Sequence, residues 1–214
     1  MRRATLIGDV VASRSVDDRA TLHADLMTSL DRVNDELRPL HPLRLTVGDE
    51  YQGAFVRVGD AVRASLLLRL HLPDHDVRHG LGWGEIARLQ ADPPIEDGPG
   101  WWAARAAIEA VHAEQERAAT RWRRTAFRTD DPESVALAQA VEAGLLLRDQ
   151  AVDRLDARSL SVVRGMLAGQ TQKQIAEELD VSPSAVSQRI RTDALAAIVA
   201  AQRAWVDTSG GGQS

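Results

Sequence analysis

The sequence predicts an α/β (α+β) domain followed by an all-α domain that contains a helix-turn-helix. Helical and strand-like periodicities alternate through the first half of the 214-residue chain, as in layered α/β domains. After the Pro-containing break at Thr129-Asp130-Asp131-Pro132 the pattern is helical only. The predicted organisation is an α/β domain at 1–128, a helical linker at 129–153, a helix-turn-helix domain at 154–206 and a flexible tail at 207–214.

Composition limits the chemistry available to the chain. Apolar residues make up 44% of the sequence, which is enough for buried cores. There is no cysteine, so disulfides and thiolate metal sites are excluded, and any metal would be Mg²⁺ or Mn²⁺ held by oxygen or imidazole ligands. A net charge of −5 means that contact with DNA would need a local basic face. No signal peptide or membrane span is recognisable, so we expect a cytoplasmic protein.

The elements of the first domain follow from periodicity and from its breaks. A short apolar run predicts a buried strand, and leucines at helical spacing predict an amphipathic helix after it. A Pro-rich segment then ends that helix, and an acidic turn separates the two strands that follow. The predicted elements are strands at 3–12, 43–47, 53–58 and 77–86, helices at 17–37, 59–72, 101–122 and 133–148, and a loop at 90–100.

The C-terminal segment carries the most specific local pattern. A helix at 159–168 ends at Gly169, and the residues Thr171-Gln-Lys-Gln174 fit a capping box that opens a second helix at 172–179. Asp180-Val181 then forms a turn, and Ser182-Pro183 provides the N-cap and first residue of a third helix. Over residues 155–200 this pattern resembles the helix-turn-helix of response-regulator effector domains and of sigma-factor region 4.

That resemblance implies double-stranded DNA as the partner and a homodimer on paired half-sites. In such motifs the last helix enters the major groove, where amide and guanidinium groups can recognise base edges. The residues assigned to bases are Ser184, Ser187, Gln188 and Arg191, and those assigned to the phosphate backbone include Gln172 and Lys173. A helical hairpin used for protein contact remains the alternative, because this segment is not strongly basic.

Two acidic motifs in the first domain point to chemistry. Gly8-Asp9 ends a predicted strand, and Gly48-Asp49-Glu50 occupies a predicted hairpin tip. If the two strands are neighbours, Asp9, Asp49 and Glu50 converge and can bind Mg²⁺ or Mn²⁺, which would neutralise a triphosphate. The glycine before each aspartate would let a phosphate approach the backbone. The alternative is that both aspartates only satisfy local backbone N–H groups in turns.

The order of these motifs resembles that of class III nucleotidyl cyclase catalytic domains, which have a ferredoxin-like palm fold. The similar pieces run from Leu6-Ile-Gly-Asp-Val-Val11 through the Gly-Asp-Glu-Tyr hairpin to Trp-Trp-Ala-Ala-Arg105. The resemblance implies metal binding by Asp9 and Asp49, and phosphate binding by Arg105. Leu45 stands where cyclases have a purine-selecting lysine, and Trp101 where they have an asparagine.

The chain as a whole is similar to the SatD family of small bacterial proteins, and three hypotheses of function are compatible with it. The leading one is a transcription regulator whose cyclase-like domain binds a nucleotide or a divalent metal. The alternative is a divergent Mg²⁺-dependent nucleotidyl cyclase or nucleotide phosphohydrolase with an accessory helix-turn-helix, so enzyme activity is left open. The third is an interaction module without chemistry. The nucleotide contacts assigned are Gly8, Gly48, Trp101 and Arg105, with Trp101 either stacking on a base or belonging to the core.

Overall fold

The computed structural model describes residues 1–11, 18–90 and 95–208. Within these ranges the strands are β1 (Arg2–Val10), β2 (His41–Leu45), β3 (Tyr51–Phe55), β4 (Val77–Glu85), β5 (Ala87–Gln90), β6 (Ile95–Asp97) and β7 (Thr125–Thr129). The helices are α1 (Arg19–Leu37), α2 (Val58–His71), α3 (Pro99–Gln115), α4 (Val135–Asp153), α5 (Ala157–Leu167), α6 (Gln172–Glu178), α7 (Pro183–Thr192) and α8 (Leu195–Thr208).

A five-stranded sheet in the order β2-β3-β1-β4-β7 forms the centre of the α/β part. β1 pairs antiparallel with both β3 and β4, and β2 pairs antiparallel with β3. β7 adds a parallel strand at the β4 edge. The chain order of β1, α1, β2, β3, α2 and β4 gives the ferredoxin-like βαββαβ arrangement, so the predicted α+β palm is confirmed.

The two faces of the sheet are covered by different helices. Side chains alternate along a strand, so Leu6 and Val10 of β1 belong to the main core, which also contains apolar residues of α1 and α2. Thr5 and Ile7 lie on the opposite face, where Ile7 packs against residues of α3. Asp9 follows on this α3 face at the end of β1.

Glycines in β4 allow α3 to lie directly on the sheet. A Cβ atom at Gly80 would be 2.2 Å from the Ala104 carbonyl oxygen, and one at Gly82 would be 2.2 Å from the Gly100 carbonyl oxygen. The Thr5 hydroxyl donates to that same Gly100 carbonyl at 2.7 Å. This close approach fixes α3 relative to the ends of β1 and β3.

A buried polar network anchors the start of β7. Asp149 of α4 is fully buried and accepts hydrogen bonds from the backbone N–H groups of Arg124 (2.8 Å) and Thr125 (2.6 Å). The same carboxylate forms ion pairs with Arg69 of α2 at 2.9 Å and with Arg148 at 3.1 Å. Burial is the main cause that lowers the pKa of Arg69, and Asp149 partly opposes it.

The C-terminal helices share a core with the α/β part. Leu66 and Leu70 of α2 belong to one buried cluster with apolar residues of α5, α6, α7 and α8. Gly144 of α4 faces Trp205 of α8, because a Cβ atom there would lie 2.4 Å from the indole ring. The helices after residue 154 therefore form a cluster that continues into α2, with α5 and α8 in direct contact with α2.

The main differences from the predicted elements lie between residues 87 and 129. Part of the predicted loop at 90–100 belongs to the β5–β6 ribbon, and residues 91–94 lie outside the described ranges. The predicted helix at 101–122 ends at Gln115 and is followed by the unpredicted strand β7. The predicted boundary at 128 therefore falls inside β7. The tail predicted at 207–214 is helical up to Thr208, and 209–214 lie outside the described ranges.

Candidate functional site

The end of β1 and the β2–β3 turn meet at one corner of the sheet. Gly8 pairs with Tyr51 in the β1–β3 register, which places Asp9 next to the turn that contains Asp49. An oxygen of Asp49 accepts a hydrogen bond from the Val10 backbone N–H at 3.0 Å. The two acidic motifs that were predicted to be neighbours therefore converge, while the metal-binding role of Asp9, Asp49 and Glu50 stays a prediction.

Asp9 is the most heavily engaged carboxylate at this corner. Its two oxygens accept from Nε and Nη2 of Arg78 at 2.7 and 3.2 Å. Oδ2 also contacts Nε2 of His112 at 2.8 Å. Asp9 thus links β1 to β4 and to the C-terminal half of α3.

Glu50 forms a second ion pair with Arg105 of α3. Both guanidinium nitrogens lie 2.7 Å from a carboxylate oxygen, in the paired geometry that favours arginine over lysine. The hydrogen bond to Glu50 is the largest cause that raises the pKa of Arg105 above its usual value, with Glu109 and Asp9 adding to it. Arg105 was assigned to phosphate, and here its present partner is a carboxylate.

A buried Tyr–His pair supports the corner from the α1/α2 side. The Tyr51 hydroxyl lies 2.8 Å from Nε2 of His79, and both residues are fully buried. Burial raises the pKa of Tyr51 well above its usual value, and the negative charges of Asp9 and Asp49 add to this. Burial lowers the pKa of His79 well below its usual value, and Arg148 and Arg69 add to this. Both side chains are therefore uncharged at neutral pH.

Two of the predicted nucleotide contacts need correction. A Cβ atom at Gly8 would lie 2.4 Å from the Tyr51 ring, so glycine is required there for packing and the space is not open to a phosphate. Trp101 is only 7% exposed and packs with Ile7 and Ala54, so its ring has no free face for stacking on a base. Gly48 has φ +66° and open space around it, and its contact with a nucleotide stays a prediction.

Sequence reasoning missed Arg78 and His112 as members of this cluster. Only His112 was recoverable from spacing once Arg105 was singled out. His112 follows Arg105 by seven residues, which is two helical turns on the same face. Arg78 is the register partner of Asp9 in the β1–β4 pairing, and only the structure provides this pairing.

The carboxylates present fit a Mg²⁺ or Mn²⁺ ion that is shared with a ligand. Within the described ranges, no three or more His, Asp or Glu side chains form a ready-made metal cage. Mg²⁺ in phosphate-transfer sites is usually held by one or two carboxylates together with phosphate oxygens and water. Asp9 and Asp49 can supply the protein part of such a set.

The predicted helix-turn-helix elements are present as helices. Thr171 and Gln174 form the expected capping box of α6, and the Ser182 side chain caps α7. The positions assigned to DNA lie at or near the surface: Gln172, Lys173, Ser184, Gln188 and Arg191 are exposed, and Ser187 is half-buried.

The sequence profile of the SatD family matches residues 4–207, which spans both the α/β part and the C-terminal helices. The chain belongs to the SatD family. None of the curated proteins compared with it matches. Within the described residues, no helix of this SatD-family protein has both the length and the apolarity needed to cross a bilayer.

Solved structures similar to this SatD-family protein are nucleotide cyclases. A bacterial light-regulated adenylyl cyclase aligns at 14% identity over 53% of this chain and 71% of its own, with a TM-score of 0.44. The adenylyl cyclase CyaB from P. aeruginosa aligns at 13% identity over 49% and 70%, with a TM-score of 0.40. The guanylate cyclase domain of RhGC from Catenaria anguillulae, in complex with GTP, aligns at 16% identity over 50% and 72%, with a TM-score of 0.42.

The prediction that the protein is a DNA-binding transcription regulator is wrong. The solved structures named above are adenylyl and guanylate cyclases and not DNA-binding regulators. The C-terminal helices are also not a separate unit, because their apolar residues share a buried cluster with Leu66 and Leu70 of α2. The amphipathic pattern of α6 and α7 is explained by burial in this cluster, where they pack against each other and against α5 and α8.

Proposed function

We propose that this SatD-family protein binds a nucleoside triphosphate together with Mg²⁺ or Mn²⁺ and is a divergent nucleotidyl cyclase or nucleotide phosphohydrolase. The observation that carries the proposal is the convergence of Asp9 and Asp49 with the guanidinium groups of Arg78 and Arg105. Carboxylates for a hard cation and arginines for phosphate are the two kinds of group that a metal–triphosphate complex requires.

The pairing of these charges determines which charges a ligand must carry in order to bind. Each arginine of the cluster is matched by a carboxylate, namely Arg78 by Asp9 and Arg105 by Glu50. A metal ion alone would leave the arginines without partners, and a phosphate alone would leave the carboxylates without partners; either loss is unfavourable. A metal–triphosphate complex carries both signs of charge and can replace both kinds of partner together.

The protein groups would then have distinct tasks. Asp9 and Asp49 would hold the cation, and Arg105 and Arg78 would hold and orient phosphate oxygens. The metal, when bound, supplies neutralisation of the phosphates and stabilises charge that develops at the reacting phosphorus. The direct contact between α3 and β4 would keep Arg105 in place relative to the carboxylates.

Calorimetry with ATP and GTP, in the presence of Mg²⁺, Mn²⁺ or EDTA, tests the proposal. The variants Asp9→Asn and Asp49→Asn should lose the metal-dependent part of binding, by about tenfold or more. Asp35→Asn is the matched control, because Asp35 is exposed on α1, which covers the opposite face of the sheet. Failure of the wild-type protein to bind any nucleotide, or equal binding by all variants, would overturn the proposal.

Chromatography of the reaction mixtures distinguishes the two activities. A cyclase converts the triphosphate into a cyclic nucleotide and pyrophosphate, whereas a phosphohydrolase uses water to release phosphate or pyrophosphate. Metal-dependent binding with neither set of products would limit the protein to nucleotide binding and reject the enzymatic part of the proposal.

A further inference from the structure

Helix α4 presents an uncharged face to its surroundings. The centre of this face is formed by four exposed residues at helical spacing, namely Ala136, Ala140, Ala143 and Leu147. Leu147 is 76% exposed, and Val135 and Leu137 in the first turn are 48% and 43% exposed. Exposed apolar side chains that lie together mark an interaction surface, whereas single ones are ordinary.

The charged residues of α4 all have partners within the chain. Glu142, Arg148 and Asp149 form ion pairs on the inward side, and Asp153 in the last turn is paired with Arg124. Helix α1 also has 19 residues, and its exposed side chains include four charged ones, Asp25, Asp31, Arg32 and Asp35. A helix face in contact with water normally carries such charges. The outward face of α4 therefore has the composition of a covered surface.

This face lies on the side of the sheet opposite the candidate site. Val141 and Leu145, on the inward side of α4, belong to the main core together with residues of α1 and α2. Asp9 and Glu50 contact α3 on the other face. A partner bound to α4 would therefore not cover the carboxylates of the candidate site.

The sizes of the side chains match a second copy of the same face in the reverse direction. With a twofold axis between Ala140 and Ala143, each of these alanines would meet the other one of the second copy. Leu147 would then meet Ala136 of the second copy, so a large side chain packs on a small one at both ends. Alanines at the crossing allow the two helix axes to approach to about 8 Å.

The charges at the two ends of α4 are also complementary. Glu133 precedes Ala136 by three residues, and its side chain is 82% exposed. Arg154 is exposed and follows Leu147 by seven residues, which is two helical turns on the same face. In an antiparallel pair Glu133 lies at the same end as Arg154 of the second copy, whereas a parallel pair would bring like charges together.

We infer that two copies of this chain associate through α4, with the two helices antiparallel about a twofold axis between Ala140 and Ala143. The homodimer expected from the sequence depended on paired DNA half-sites, and α4 provides a different basis for it. A second copy is the partner because both the sizes and the charges of this face are complementary to the face itself, as a twofold interface requires.

Sedimentation equilibrium over a dilution series tests the inference. The wild-type protein should approach the mass of two chains as its concentration rises. Leu147→Glu introduces a charge into the apolar face twice per dimer and should weaken association by about tenfold or more. Leu89→Glu is the matched control, because Leu89 is 66% exposed on β5, in the ribbon whose other strand contacts α3. The control should keep the wild-type affinity.

Exchange of the end charges tests the direction of the two helices. Glu133→Arg and Arg154→Glu should each weaken association by about threefold to tenfold, because like charges then meet at both ends of the interface. In the variant that carries both substitutions opposite charges meet again, so its affinity should return to within about twofold of the wild type.

Cross-linking identifies the surface that forms the dimer. The chain has no cysteine, so a single introduced thiol reacts alone. Ala143→Cys lies beside the twofold axis and should be joined to its copy by a short bismaleimide. Ala24→Cys, which is exposed on α1, is the control and should remain monomeric in the same reaction.

The outcomes are decisive for the interface and independent of the nucleotide site. A wild-type protein that stays monomeric at every concentration would overturn the inference, and so would a dimer that Leu147→Glu leaves intact or that Leu89→Glu disrupts. Equal cross-linking of the two cysteine variants would also count against α4. A double charge variant that associates no more tightly than the single variants would reject the antiparallel arrangement.

Discussion

Glu50, in the turn just before β3, and Arg105, in the middle of α3, form a two-pronged ion pair, with both nitrogen–oxygen distances equal to 2.7 Å. A phosphate would need the Arg105 guanidinium group, and in this pair that group is already bound to Glu50. The same is true of Arg78, which is held by Asp9. The charged side chains at the end of β1 and in the β2–β3 turn therefore neutralise one another. A ligand can bind there only if Arg78 and Arg105 exchange their carboxylate partners for the ligand.

The first prediction follows from this pairing. Glu50→Gln removes the carboxylate that competes for Arg105, so binding of tripolyphosphate without metal should strengthen, by about threefold to tenfold. Isothermal titration in EDTA measures it. Glu177→Gln, which changes an exposed carboxylate on α6, is the control and should have no effect. Unchanged affinity in Glu50→Gln would show that Arg105 does not contact the phosphates.

The second prediction concerns the contact between β4 and α3. Gly80→Ala would place a methyl group 2.2 Å from the Ala104 carbonyl oxygen, so the helix must move, and we expect a loss of about 2–4 kcal/mol in the free energy of unfolding. Gly169→Ala is the comparison, because its Cβ atom meets nothing and only its φ of +77° is unfavourable, at about 1–2 kcal/mol.

Denaturant unfolding of both glycine variants measures these losses. The same preparations can be tested for nucleotide binding at a temperature where both are folded. Gly80→Ala should weaken binding because Arg105 moves with α3, whereas Gly169→Ala should not. Equal stability of the two variants would contradict the close packing of α3 on β4.

The third prediction concerns the buried carboxylate of α4. Asp149→Asn keeps the shape of the side chain but leaves Arg69 and Arg148 without their shared negative partner, which should cost about 3–5 kcal/mol. Asp153→Asn is the control, since that side chain is 35% exposed and lies 3.8 Å from Arg124. We expect a change below about 1 kcal/mol in the control. Comparable losses in the two variants would argue against a buried role for Asp149.

The fourth prediction is a dependence of stability on pH that comes from His79. Its pKa is lowered in the folded protein, so below its ordinary value of about 6.5 the unfolded chain binds a proton that the folded protein does not. The stabilisation is therefore complete above about pH 6.5 and is lost as the pH falls towards the folded-state pKa.

Unfolding free energies measured between pH 7.5 and 5 for wild type and His79→Gln isolate this contribution. The wild-type protein should lose more stability than the variant over this range. The slopes of unfolding free energy against pH should differ by up to the value for one proton, about 1.4 kcal/mol per pH unit. Parallel pH profiles would mean that His79 takes up its proton equally in both states.

Local periodicity was sufficient to predict most helices and strands of the palm fold. Leucines at helical spacing in 17–37 and the glycine-punctuated strand at 77–86 correspond to α1 and β4 with small shifts at their ends. β7 was missed because its short run Thr125–Thr129 follows Arg121, Trp122, Arg123 and Arg124, a sequence that indicates a solvated surface. Arg123 is paired with Glu114 and Glu142, and Arg124 with Asp76, and this compensation is not visible in a local window.

The site was only partly accessible to sequence reasoning for a similar reason. Asp9, Asp49, Glu50 and Arg105 stood out by residue type and motif order. Trp101 and Gly8 were assigned to a ligand because their types permit it, while the structure uses both for packing. Whether a side chain faces a ligand or the core depends on strand register, and a shift of one residue reverses it.

The amino-acid sequence by itself determined most of the helices and strands, the two acidic turns and the capped C-terminal helices, because spacing, capping and turn residues act within a few positions of the chain. Tertiary structure alone decided that Asp9 is held by Arg78 and His112, that Glu50 holds Arg105, and that α5 and α8 are packed onto α2. The contact between Asp9 and His112 joins residues 103 positions apart. They depend on which faces are buried together, and that is fixed only when the whole chain has folded.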